Sequence, residues 1–191
     1  MFRPATKEET EKIIRFYDIV IEAMDRSAIH LKWQKNIHPS HLLLRTSVDQ
    51  GELFVYEENG EILCACIMNQ CSNEAYSQIF CDDSACDKIG IIHVFATYPK
   101  CVRQGLGEKF LQSLLQYAGA HLFQSVRLDV LQFNLPAICL YEKLGFVRRG
   151  EMQMFVPNIG TEDFYFYEYK TSNIKGSTCG GTGADTCTNE K

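Results

Sequence analysis

The sequence predicts a mixed α/β fold of the α+β kind, with a sheet that is neither doubly wound nor all-parallel. Three observations carry this. Asn59-Gly60 joins two β-rich runs, which is the strongest short-range hairpin signal. An apolar run from Ile89 enters a glycine-bearing loop, then a helical pattern, then a second β run, "SVRLDVLQF". That strand–helix–strand unit is expected to cross over right-handedly. Two late runs, "RRGEMQMFV" and "DFYFYEYK", follow with no helical pattern between them and read as an antiparallel pair.

Each element has a local cause. Thr6 and Glu9 form a capping box ahead of Ile13, Tyr17, Val20, Ile21 and Met24, a spacing that predicts a long helix with one buried stripe. Ser40 caps a second helix with Leu43, Leu44 and Val48 inward, ended by Gly51. The hairpin follows. The polar segment from Gln70 to Lys88 carries no assignable pattern and is read as an excursion over the substrate side. After the glycine loop, a helix turns Leu106, Phe110, Leu114 and Tyr117 inward. Pro136 opens a short helix that Gly145 closes, proline at the start and glycine past the end. The last residues are rich in Gly, Ser and Thr and poor in apolar side chains, so a disordered C-terminal tail is expected over 171–191, after one domain over 1–170.

Composition narrows the function classes. The chain has 191 residues, 46% hydrophobic and 23% charged, which suits one soluble domain. Net charge is −5 with Lys and Arg scattered, which argues against nucleic acid as a partner and slightly favours a cationic ligand. No apolar run approaches the ~20 residues that cross a bilayer, so no membrane association is expected. The start, "MFRPATKEET", lacks an apolar signal core, and cytoplasmic residence is the expectation. The nine cysteines are odd in number without a secretion signal, which argues against a disulfide framework. A zinc-dependent interaction module on Cys64, Cys66, Cys81 and Cys86 is a weaker reading than small buried hydrophobes, and no metal is expected.

The loop "VRQGLGEKF", Val102 to Phe110, holds the chemistry. It is not a phosphate loop of the G-x-x-x-x-G-K-[ST] kind, because Glu108 follows Gly107. It is not a dinucleotide fingerprint, because Phe110 stands where the third glycine belongs. Glycines at 105 and 107 leave the N–H groups of a helix start open to a pyrophosphate. Val102-Arg103-Gln104-Gly105-Leu106-Gly107 fits the glycine spacing of the Q/R-x-x-G-x-G/A acyl-coenzyme A loop. "NLPAICLYEKLGF" carries Asn134, Ala137, Leu140, Tyr141, Gly145 and Phe146 in the pattern N-x-x-A-x-x-L-Y-x-x-x-G-F. With these two segments in order, the chain resembles the GNAT superfamily of N-acetyltransferases from about Met1 to Lys170. Within it, the chain is similar to small single-domain members with a Trp and a Tyr/His-Pro in the first helix pair, here Trp33 and His38-Pro39. It departs at Val102, where Gln or Arg is usual and where Arg103 follows one residue later; main-chain donors do not depend on that side chain.

The resemblance implies a mostly antiparallel sheet of about seven strands, flanked by about four helices, with a central parallel pair splayed around the cofactor. It implies acetyl-CoA as donor and a small-molecule or peptide amine as acceptor, attacked directly, and it allows a homodimer. The main chain of Phe95, Ala96 and Thr97 would pair with the pantetheine arm, and an N–H there would polarise the thioester carbonyl. Arg103, Gln104, Gly105, Leu106, Gly107 and Glu108 would hold the pyrophosphate. Asn134 would cap its helix and offer its amide to the cofactor, and Tyr141 would be the general acid as well as a cofactor contact. Lys143 is expected to be solvated. The family's usual strand glutamate is missing, its place falling near Ile91. His93 lies two residues on, shares that strand face and is read as a base acting through water. Trp33 and Tyr17, with the late aromatics, are the acceptor candidates. Structural alternatives stand beside these: a hydrogen-bonded strand histidine at 93 and a helix-anchoring tyrosine at 141. A non-catalytic acyl-CoA sensor of the same fold is the competing function.

Overall fold

The seven-stranded sheet has the order β1-β2-β3-β4-β5-β7-β6, and only the β4–β5 pair is parallel. The computed structural model describes residues 1–24, 31–80, 88–156 and 160–173. The strands are β1 (Phe2–Pro4), β2 (Leu53–Glu58), β3 (Glu61–Asn69), β4 (Ile89–Thr97), β5 (Ser125–Leu131), β6 (Val147–Val156) and β7 (Gly160–Lys170). The helices are α1 (Thr10–Met24), α2 (His41–Asp49), α3 (Glu74–Ile79), α4 (Leu106–Ala120) and α5 (Leu135–Lys143). The mixed, mostly antiparallel sheet with its parallel pair is as the sequence implies. The described residues form five α-helices where about four are expected; α3 lies inside the unassigned polar segment, capped by Asn73, whose side chain accepts from the Tyr76 N–H.

Local signals explain most of the elements. The Glu9 carboxylate accepts from the Thr6 N–H at 3.0 Å, and the Ser40 hydroxyl accepts from the Leu43 N–H at 3.1 Å. Asn59 and Gly60 both have positive φ, 51° and 78°, the turn that matches the twist of β2 and β3. Gly145, at φ 90°, ends α5. Leu43, expected inward, is exposed; α2 buries Leu44, Ser47 and Val48 instead. β1 had no readable pattern. It is held by pairing with β2 and by Arg3, which pairs with Glu9 at 2.7 Å and also with Glu57.

Alternation along the strands divides the core in two. Cys64, Cys66 and Met68 of β3 and Val126, Leu128 and Val130 of β5 pack with Phe110, Leu111 and Leu114 of α4 and Tyr141 of α5. Ala65 and Ile67 pack with Ile13, Tyr17 and Val20 of α1 and Leu44 of α2, and α3 extends that side with Tyr76. Each fully buried Leu or Phe of α4 contributes about 1.5–3 kcal/mol. Cys64 and Cys66 are buried hydrophobes here, while Cys81 and Cys86 lie outside the described residues. Among the described residues no group of three or more His, Cys, Asp or Glu is placed to hold a metal ion, and no helix is long and apolar enough to cross a membrane. Thr171–Asn173 form a short 3-10 turn; the rest of the expected tail lies outside the described residues.

Candidate active site

A β-bulge in β4 creates the site. The β3–β4 register runs Ala65↔Ala96 and then Ile67↔His93, so Val94 and Phe95 together oppose Cys66. Val94 sits at φ 47°, a conformation that a β-branched residue rarely adopts and that costs on the order of 1–3 kcal/mol. Tyr17 holds it: its buried hydroxyl donates to the Val94 carbonyl at 3.0 Å. Beyond the bend β4 stays with β3, whereas β5 runs on beside β7 to Leu131↔Phe164. The parallel β4–β5 pairing therefore ends at Ile91↔Arg127. From Ile92 onward the β5-facing side of β4 has no strand neighbour.

A cavity of about 320 Å³ occupies the gap. Ile92 to Phe95 line it from β4, Leu128 to Leu131 from β5, and Asn134 and Tyr141 from α5. Trp33 and His38 close it on the other side of the sheet. The structure thus brings together His93, Phe95, Asn134, Tyr141 and Trp33. Tyr17 is not on the cavity wall; from α1 its hydroxyl holds the bulge. Ala96 and Thr97 continue β4 toward the loop, with Ala96 buried and Thr97 Oγ1 accepting from Cys64 Sγ at 3.7 Å.

The glycine loop stands at the end of the splayed strand. Arg103 and Gly105 take positive φ, 65° and 76°, and Gly105 is the N-cap of α4. Lys109 is the first residue whose N–H closes a helical turn, on the Gly105 carbonyl at 3.1 Å. The preceding N–H groups of Leu106, Gly107 and Glu108 lack an intrahelical acceptor and lie at the positive end of the helix dipole. The two glycines serve different ends. A Cβ on Gly105 would meet open space, so its requirement is φ; a Cβ on Gly107 would stand 3.3 Å from the Phe95 ring and 3.4 Å from Thr97 Oγ1. Gln104 donates to the Lys100 carbonyl at 2.8 Å, fixing the loop's own bend. Lys143, expected to be solvated, pairs with Glu108 at 2.6 Å and ties α5 to the first turn of α4.

Asn134 departs from expectation in one respect. It is the N-cap of α5, but its side chain makes no capping hydrogen bond and lies on the cavity wall instead. Burial pushes the Tyr141 phenol above its ordinary value of 10, so its proton is present throughout the neutral range. Its hydroxyl has no hydrogen-bond partner among the described residues.

The proton of His93 can be assigned from its neighbours. Asn69 Nδ2 donates to the Glu52 carboxylate at 3.1 Å, and Asn69 Oδ1 accepts from the Cys71 N–H at 3.0 Å. Both contacts put the amide oxygen toward His93 Nε2, 3.1 Å away. Nε2 therefore carries the hydrogen, and Nδ1 carries the lone pair. Burial lowers the His93 pKa below 6.5, the charge of Asp129 acting in the opposite direction.

Asp129 was not anticipated. It lines the cavity and accepts a 2.7 Å hydrogen bond from the Tyr76 hydroxyl of α3. Burial raises its pKa above 3.8. Its only sequence signal is a polar residue alternating with Val126, Leu128 and Val130, which reads as a solvent-facing strand position.

Comparison with known proteins agrees with this geometry. The sequence matches the acetyltransferase (GNAT) family over residues 14–146. No curated protein matches the chain in sequence. Among solved structures it is similar to a GNAT-family acetyltransferase from Streptococcus agalactiae, at 17% identity and TM-score 0.71, covering 89% of this chain and 94% of that one. It is similar to the ribosomal-protein-S18-alanine N-acetyltransferase of Escherichia coli, at 19% identity and TM-score 0.62, covering 95% and 99%. A third is a protein from Salmonella typhimurium described as an acetyltransferase and solved with its cofactor acetyl-CoA, at 18% identity and TM-score 0.61, covering 98% of each chain. At such identities the likeness shows the fold.

Proposed function

The chain belongs to the GNAT family of acetyltransferases, and from that premise we propose that it transfers an acetyl group from acetyl-CoA to a primary amine of a small molecule or peptide by direct attack. The observation that carries this reading is the conjunction of the splayed β4–β5 pair with an uncapped helix start at the end of the same strand. The cleared backbone from Arg103 to Glu108 fits a pyrophosphate, and the unpaired edge of β4 at Phe95, Ala96 and Thr97 fits an amide-bearing arm. Asn134 offers its amide to that arm from the α5 side.

An amine of pKa ~10 is neutral at pH 7 only about one part in a thousand, worth about 4 kcal/mol of barrier if nothing removes the proton. His93 Nδ1, as base through a water, takes that proton. The amine nitrogen then bonds to the thioester carbon, the carbon–sulfur bond breaks, and the surplus proton that the new amide nitrogen sheds replaces, through water, the one that Tyr141 gives up. Tyr141 supplies the proton that the departing sulfur needs. Its raised pKa makes that donation costlier, but the same burial raises the pKa of the leaving thiol, and the two shifts offset each other.

Steady-state acetyl transfer to a panel of amines tests the reading. Tyr141→Phe should lower kcat by ten- to a thousand-fold while acetyl-CoA affinity holds. Unchanged kcat in that variant would remove Tyr141 as acid. Acetyl-CoA binding with no turnover on any amine would favour the sensor.

A further inference from the structure

The acceptor side of the cavity contains one carboxylate. Asp129 is the only acidic residue among the described lining residues, and Lys32, the only Lys or Arg among them, is ion-paired with Glu162. Among the described residues no lysine or arginine pairs with Asp129, and Tyr76 Oη is its one side-chain hydrogen-bond donor. Its other electrostatic neighbours are His93 and His38, both of which burial keeps toward the neutral form. A buried carboxylate met by a hydroxyl, its own main-chain N–H and neutral imidazoles, with no cation beside it, is under-compensated, and a docking cation relieves that cost.

The surrounding walls are apolar. Trp33, Met154 and Val156 line the cavity, and Ile37 and Phe155, 47% and 74% exposed, stand where they can meet the remainder of a ligand. We propose that Asp129 is the counter-ion of the acceptor, and that the acceptor is a small primary monoamine with an apolar body. This rests on the acetyl-transfer reading above. A polyamine or aminoglycoside would bring further ammonium groups with no second carboxylate to meet them. A free amino acid would set its own carboxylate against Asp129. Asp129 also keeps the charge paired through the reaction: it faces the ammonium on arrival and the imidazolium of His93 after the proton has moved from nitrogen to Nδ1.

The probe is 2-phenylethylamine, titrated calorimetrically into the CoA-saturated protein, with 2-phenylethanol as neutral isostere and spermidine and an alanine-terminated peptide as competitors. The amine should bind about tenfold or more tightly than the alcohol, spermidine or the peptide. Asp129→Asn should weaken the amine about tenfold, leaving the alcohol and CoA unchanged, and Asp129→Glu should restore part of the loss. Absence of amine binding, equal binding of the alcohol, preference for spermidine or the peptide, or an unaffected Asp129→Asn would each overturn the proposal. Should the variants fail to fold, the amine–alcohol comparison in the unmodified protein decides. Because binding is read without turnover, a protein that takes the amine in this way and acetylates nothing sinks the transfer reading alone.

Discussion

His93 illustrates how one residue's chemistry is set by others. Glu52 orients Asn69, Asn69 fixes the imidazole tautomer, and burial holds the ring neutral. The sign of the pH effect follows. A base with a pKa depressed below 6.5 is competent above that value and is lost as the pH falls through it. With saturating amine, kcat should be flat from about pH 8 to about 6.5 and then decline along a one-proton limb. Asp129 titrates in the same cavity, so His93→Gln must separate the two: it should lower kcat by about 10²–10⁴ and remove the limb. An acidic limb unaltered in that variant would dismiss His93 as base. Tyr141 and Asn134 were legible because a helix motif fixes their positions. Asp129 was not, because alternation in β5 gives the same pattern whether the polar face meets water or a covering element. Here Tyr76 of α3 covers it, from a segment with no pattern of its own.

At the level of elements, the close contact between α4 and β4 governs the site. Gly107 brings the first turn of α4 against Phe95 and Thr97, and Phe95 in turn stacks on Phe110 with ring centroids 5.7 Å apart. Gly107→Val would press its side chain against the Phe95 ring, Thr97 Oγ1 and Leu140, an overpacking worth about 1–3 kcal/mol. The denaturant midpoint should fall accordingly with an unchanged slope; an unmoved midpoint would mean that α4 does not need this close approach. The loop and helix were readable from glycine spacing and apolar period. The bulge was not, since nothing in "IIHVFAT" marks Val94 as the residue that turns to positive φ. The hydrogen bond that supports it comes from Tyr17, far away in sequence.

For the molecule as a whole, the sheet order explains why a cavity lies where it does. β5 follows β7 while β4 follows β3, and the central parallel pair opens between them. The wall formed by α4, α5 and the splayed strands was legible because it is built from contiguous motifs. The opposite wall was not, since Trp33, His38, Asn73, Asp129 and Phe155 come from distant segments that share no period and meet only in three dimensions. Three-residue β1 was equally silent, being too short to show alternation. Titration calorimetry with acetyl-CoA, on the unmodified chain and on Gly105→Val, tests the central claim most directly. The expected result is saturable heat with about one site per chain, lost in the variant, whose side chain is strained at φ 76° and stands in the space the pyrophosphate would enter. No heat up to about millimolar acetyl-CoA, or equal binding by Gly105→Val, would contradict it.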